Sequence, residues 1–203
     1  MSSSLVGSEM CIRDRYSVSM DSDGDRVAVG GYGNDGNGNN SGHVRVYDWD
    51  GSSWSQQGSD LDGEAALDYF GISVSLDSDG DRMVIGSSSN DGNGSNSGHA
   101  RIYEWGESSW SQLGSDIDGE AAGDQFGYSV SMDSNGDRVA IGAPTNDGNG
   151  EDAGHVRVHD VIHQEVYTAT FTPSAEGATT IDVASSTFND GAGNDNSAAD
   201  QYN

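Results

Sequence analysis

Asp21, Asp23 and Asp25 set three carboxylates at alternate positions around Gly24, and the pattern returns as Asp77, Asp79 and Asp81 and again as Asp133, Asn135 and Asp137. Side-chain oxygens spaced in this way on a sharply turning loop suit a hard cation such as Ca2+, which takes about six to eight oxygen ligands. The same residues also build an Asp-rich hairpin turn that needs no metal, because Asp beside Gly favours tight turns. Both readings stand on these residues. A second acidic set lies in the NDGNG stretches that begin at Asn34, Asn90 and Asn146, with Asp35, Asp91 and Asp147 in second place. These offer metal ligands, or left-handed backbone positions in a long connection, and the second is the simpler reading. Two acidic loops on one rim would make a ligand-binding face.

Other polar residues recur in the same way. His43, His99 and His155 each precede an Arg, at Arg45, Arg101 and Arg157. Zinc would require the histidines to converge with further ligands, so they are expected to be hydrogen-bonding residues at strand ends. The arginines are expected to pair with Asp residues of neighbouring units. Trp49, Trp54, Trp105 and Trp110 could stack on sugar rings, but aromatics repeated in register point to packing between units. Catalysis needs singular residues, and these recur. The chain has no phosphate loop, HExxH or nucleophile elbow, so a non-enzymatic protein is expected.

The elements that must position these residues follow from a spacing of 56. From Tyr16, Ile72 and Tyr128 the chain reads YSVSMDSDGDRVAVG, ISVSLDSDGDRMVIG and YSVSMDSNGDRVAIG. Each copy continues through NDGNG into GHVRVYDW, GHARIYEW or GHVRVHDV. A period of this length marks a stacked array or a propeller. In the first run of each copy Tyr16, Val18 and Met20 alternate with Ser17, Ser19 and Asp21, which predicts a strand with one face in a core and the other in water. The second run, RVAVG and its equivalents, is apolar on both faces and predicts a strand covered on both sides. The third, HVRVY or HARIY, alternates again, and a fourth begins at Trp54 and Trp110. SDG or SNG joins the first two runs, and Asp50 with Gly51 offers a two-residue hairpin turn. Four antiparallel strands in about 50 residues describe one propeller blade.

The chain has 203 residues, 34 of them acidic against 8 basic, and the basic ones are all Arg. A net charge of -26 repels phosphate backbones and anionic membranes, which excludes nucleic-acid binding as a main role. No apolar stretch reaches the roughly 18 residues needed to span a bilayer, so no membrane insertion is expected of these residues. The single cysteine, Cys11, cannot form an internal disulfide. It lies in residues 1–15, which match nothing in the repeats, and LVGSEMCIRDR resembles the translation of a transposase adapter used in sequencing-library preparation. Residues 1–15 are therefore expected to be an artefact and are set aside from fold reasoning.

Phe70 with Gly71 and Phe126 with Gly127 open a copy, and Gly142, Ala143 and Pro144 close the second strand of the third. These residues resemble the FG-GAP repeat of integrin α-type β-propellers over about residues 16–161. The triplet reads Gly30, Gly31, Tyr32 in the first copy and Gly86, Ser87, Ser88 in the second. The resemblance implies calcium loops of a DxDGDxxxD-like form at the acidic hairpins. Here the last acidic position is missing, because Arg26 to Val29 run straight into the next strand. Residues 162–203, with runs Val166 to Phe171 and Thr179 to Val183, resemble the closing half of a bacterial Ig-like adhesin domain. The expected fold is all-β: an incomplete β-propeller of two to three four-stranded antiparallel blades (16–71, 72–127 and 128–161) followed by a partial Ig-like β-sandwich. The function these resemblances imply is a non-catalytic, secreted or cell-surface fragment that binds an extracellular protein or glycan. The alternative is an accessory segment of a large secreted hydrolase.

Overall fold

The computed structural model describes residues 16–161, so the expectations for residues 1–15 and for an Ig-like sandwich at 162–203 lie outside the described residues. The described residues are all-β, an incomplete β-propeller of three successive antiparallel blades. Blade 1 contains β1 (Ser17–Met20), β2 (Arg26–Gly31), β3 (His43–Trp49), β4 (Trp54–Gln56) and β5 (Leu61–Asp62). Blade 2 repeats it with β6 (Phe70–Leu76), β7 (Arg82–Ser87), β8 (His99–Trp105), β9 (Trp110–Gln112) and β10 (Ile117–Asp118). Blade 3 has β11 (Ser129–Met132), β12 (Arg138–Ala143) and β13 (His155–Asp160).

In blades 1 and 2 the expected fourth strand is broken in two. β4 and β5 both pair with β3, and β9 and β10 both pair with β8. The interruption falls at Gly58 and Gly114, whose φ of 74° and 75° cannot continue a strand. The turn after β3 runs from Asp50 to Ser53, closed by the Asp50 amide on the Ser53 carbonyl at 3.1 Å. Gly51 takes its left-handed position, at φ 93°.

The second strand of the middle blade is covered on both sides, as its sequence requires: Met83, Val84 and Ile85 are all fully buried, whereas Val29 of β2 and Ala140 of β12 are only half-buried. The two faces of β7 belong to different layers. Ala28, Val44 and Val46 of blade 1 pack with Val74, Leu76, Met83 and Ile85 of blade 2. One repeat later, Val84, Ala100 and Ile102 of blade 2 pack with Met132, Val139 and Ile141 of blade 3. Each blade thus gives one face to the blade before it and the other to the blade after. No blade encloses a core of its own, which is why the unit recurs.

In blades 1 and 2 the first strand differs from expectation on its serine face, which turns to the next blade rather than to water, while Ser129 and Ser131 of blade 3 are exposed. Ser17 Oγ donates to the Gly71 carbonyl at 2.9 Å and Ser73 Oγ to that of Gly127 at 2.8 Å. The Leu76 amide donates to Ser19 Oγ at 2.9 Å and the Met132 amide to Ser75 Oγ at 3.0 Å. The hairpins that follow are linked too, Ser22 N to Ser78 O and Ser78 N to Ser134 O, both at 3.1 Å. Where the edge of one innermost strand meets the next blade, backbone groups need partners. A short hydroxyl side chain supplies them.

The seam is closest at glycine. A Cβ on Gly30 would overlap the Gly71 carbonyl, and a Cβ on Gly86 would overlap the Gly127 carbonyl. The phenylalanines of the same pairs, Phe70 and Phe126, are 1% and 0% exposed, so the Phe-Gly pair of one blade seats itself against the glycine of the blade before. Gly142 occupies the same strand position in blade 3, yet a Cβ there would meet only the Ser129 side chain. Gly86→Ala should therefore lose about 3 kcal/mol of unfolding free energy, the upper end of the overpacking range, and Gly142→Ala less than about 1 kcal/mol. Denaturant titration of the two variants measures this, and equal losses would show that the glycine is a strand requirement and not a seam requirement.

Candidate functional site

β2 leaves the acidic hairpin at Arg26 and enters the NDGNG loop after Gly31, so the two acidic loops of a blade sit at opposite ends of the sheet. The condition for a shared acidic rim is not met. Each end has its own chemistry.

At the hairpin end, Asp21 Oδ1 accepts from the amides of Gly24, Asp25 and Arg26 at 2.8, 3.1 and 3.2 Å. Asp133 Oδ1 does the same for Asp137 and Arg138 at 2.8 and 2.9 Å. The first carboxylate of each set thus spends an oxygen on its own turn. Arg26 chelates Asp48 through Nε and Nη2, at 2.7 and 3.2 Å, and sends Nη1 to the Gly80 carbonyl of the next hairpin at 3.0 Å. Asp23, Asp25, Asp79, Asp81, Asn135 and Asp137 stand exposed. Asp77 is buried, and burial, reinforced by the charge of Asp81 against the pull of the Arg82 amide, pushes its carboxyl up to about 6. A hydrogen bond with Asp21 likewise raises Asp25.

At the opposite end, Asp35, Asp91 and Asp147 brace their loops from within. Their Oδ1 atoms accept from the amides of Asn40, Asn96 and Asp152 at 2.7, 2.8 and 2.8 Å. The bond fixes left-handed backbone at those residues, with φ of 49°, 52° and 51°. The loops also join the connections between blades. Asn37 Nδ2 donates to Gly63 O at 2.9 Å, and Asn90 Nδ2 reaches Asp68 at 3.3 Å. Asn93 Nδ2 donates to Gly119 O at 2.7 Å, and Asn146 Nδ2 donates to Asp124 at 2.9 Å. The result is one hydrogen-bonded rim running across all three blades.

Behind this rim sit the histidines and arginines. Both oxygens of Asp60 accept from Arg45, at 2.9 and 2.6 Å, and both oxygens of Asp116 accept from Arg101, at 2.8 and 2.7 Å. Arg45 and Arg101 therefore pair first within their own blade, contrary to the expectation of pairing with Asp residues of neighbouring units. The crossing contacts come from Glu64, which also binds Arg101, and from Glu120, 3.4 Å from Arg157. Two groups bring ligating atoms within 4.8 Å of one another: His43 with Asp60 and Asp62, and His99 with Glu64 and Asp116. An arginine already fills both oxygens of the central carboxylate in each, so the geometry is that of an ion-pair clamp and a cation would meet a like charge. Arg45 holds the Asp60 carboxyl below its usual range. Burial opposes the charge on Asp116, but Arg101 and Gln112 outweigh it and hold that carboxyl low as well. Burial, with Arg101 beside it, pushes the His99 imidazole down, which keeps it neutral near pH 7.

Asp60, Asp116, Glu64 and Glu120 were not singled out from the sequence. The signal that finds them is a recurring separation: Asp lies 15 residues after Arg in Arg45–Asp60 and in Arg101–Asp116. The tryptophans form cross-strand pairs, Trp49 with Trp54 at 5.5 Å and Trp105 with Trp110 at 5.4 Å between ring centroids. The second pair packs into the seam between blades 1 and 2, leaving no stacked platform for a sugar there.

No curated protein matches the chain. Among solved structures, the hydrazine synthase of Kuenenia stuttgartiensis is similar over 79% of this chain and 49% of its own, at 10% sequence identity and a TM-score of 0.39. The chain thus spans about half the length of that one. A family model matches twice, each time from the outer part of one blade to the third strand of the next, so that the matched unit straddles a seam. Residues 54–103 and 116–158 of this chain match the FG-GAP repeat.

Proposed function

We propose that this chain is a non-catalytic, secreted or cell-surface protein that binds an extracellular protein or glycan through the rim of NDGNG loops. The observation that carries this reading is a constant frame with a changing tip. Each loop is held by the same aspartate bond, while the exposed residue just inside its closing amide is Asn39 in blade 1, Ser95 in blade 2 and Glu151 in blade 3. Loops fixed by a rigid scaffold and differing at exposed positions are where binding residues concentrate. The arginine clamps behind them support rigidity. Binding of the full chain to a panel of extracellular glycoproteins and glycans tests this, beside a variant with Asn39, Ser95 and Glu151 all changed to Ala. A specific binder should lose at least about tenfold in affinity to the variant, some 1.4 kcal/mol. No binding across the panel, or binding indifferent to the triple change, would overturn the reading.

Ca2+ enters the proposal at the other end, where Asp21, Asp23 and Asp25, Asp77, Asp79 and Asp81, and Asp133, Asn135 and Asp137 crowd into successive hairpins linked by backbone bonds. With one oxygen of the first Asp committed to its turn, few ligands remain, and binding would be weak. Millimolar Ca2+ should raise the unfolding temperature and EDTA reverse the gain, with Asp79→Asn and Asp81→Asn together reducing it. An unchanged unfolding temperature would remove calcium from the account.

A further inference from the structure

Tyr16, just before β1, and Val18 and Met20 on it are 60%, 68% and 54% exposed, although their equivalents Ile72, Val74 and Leu76 on β6 are 9% or less. Val156 and Val158 on β13 are 68% and 65% exposed, although Val44 and Val46 on β3, and Ala100 and Ile102 on β8, are 5% or less. Four of these positions are complementary in kind. Val74 and Leu76 belong to the half of a seam that a blade presents backward, and Val44 and Val46 to the half that a blade presents forward. Blade 1 thus shows part of a backward half, at Val18 and Met20, and blade 3 part of a forward half, at Val156 and Val158, and among the described residues nothing covers these four.

The polar pattern matches the apolar one. Arg26 and Arg82 reach a carbonyl in the next hairpin, with side chains 18% and 20% exposed, whereas Arg138 has the same strand position and is 69% exposed. Its counterpart carbonyl would be that of Gly24. Ser134 N stands where Ser22 N and Ser78 N donate forward, and Ser131 stands where Ser19 and Ser75 accept from the following blade.

We infer that the chain associates head to tail with a second copy of itself, blade 3 of one docking against blade 1 of the other through the seam already made twice within each chain. The argument for a second copy is this continuity: Val18 and Met20 on blade 1, and Val156 and Val158 on blade 3, match the two sides of the seam made twice within the chain. Such a contact is heterologous, so it closes into a ring where the rotation allows and otherwise extends. It is weaker than the internal seams, because one 56-residue repeat before Phe70 and Gly71 the sequence reads Asp14 and Arg15, without the Phe-Gly pair. It also works against a net charge of -26 per chain, which salt screens.

The test is the mass in solution of the full chain at high ionic strength, with Val18→Asp and Val158→Asp, both at exposed positions where a native circular dichroism spectrum is expected. Wild type should run as multiples of the 21.2 kDa chain. Each variant alone should run as the monomer, and an equimolar mixture of the two should form a one-to-one dimer, since each retains the face that the other has lost. A wild type monomeric at every concentration, variants that associate as wild type does, or a mixture that stays monomeric would each overturn the inference.

Discussion

Neighbouring blades meet backbone to backbone at glycine, and the rest of the architecture depends on it. With no Cβ on Gly30 or Gly86, the carbonyl of Gly71 or Gly127 can lie directly over the strand. Ser17 and Ser73 can then hold that same carbonyl through a hydroxyl. A methyl group at either glycine would push the blades apart along the whole seam. Several kcal/mol of apolar contact are at stake there, from Ala28, Val44 and Val46 against Met83 and Ile85. The geometry accounts for why the Phe-Gly pair and the strand glycine occur together: they are the two sides of one contact, brought from consecutive blades.

Much of this was legible in the sequence. Strand order, the buried second strand and the blade count follow from a spacing of 56 and from alternation in short runs. The serine face of the first strand was misread, because period-two patterning separates apolar from polar but does not say whether the polar face meets water or another backbone. The split fourth strand escaped for a local reason: Gly58 and Gly114 lie inside the run, and their positive φ divides it. The arginine clamps escaped because their partners sit 15 residues away, a separation that neither strand nor turn periodicity predicts.

The strong acidity is distributed with the same logic. Some carboxylates are structural: Asp21 and Asp133 cap hairpins, Asp35 and Asp91 brace loops, and Asp60 and Asp116 neutralise arginines. Others stand exposed, among them Asp23, Asp25, Asp79, Asp81 and Asp137. A chain with only 8 cationic residues places Arg26, Arg45, Arg82 and Arg101 where each meets a carboxylate, and Arg26, Arg82 and Arg101 also reach across a seam. The binding rim proposed above depends on that economy, since its loops hold their shape only while the blades behind them stay in register.

The central claim is that the seams, and not the individual sheets, are the cooperative units. Amide hydrogen exchange at Leu76 and Met132 reads it most directly, because these amides donate to Ser19 and Ser75 of the preceding blade. The account predicts protection there comparable to that of the buried second strand at Val84 and Ile85, since opening one requires opening the other. Rapid exchange at Leu76 and Met132 with Val84 and Ile85 still protected would mean that the blades are stable one by one, and would contradict it.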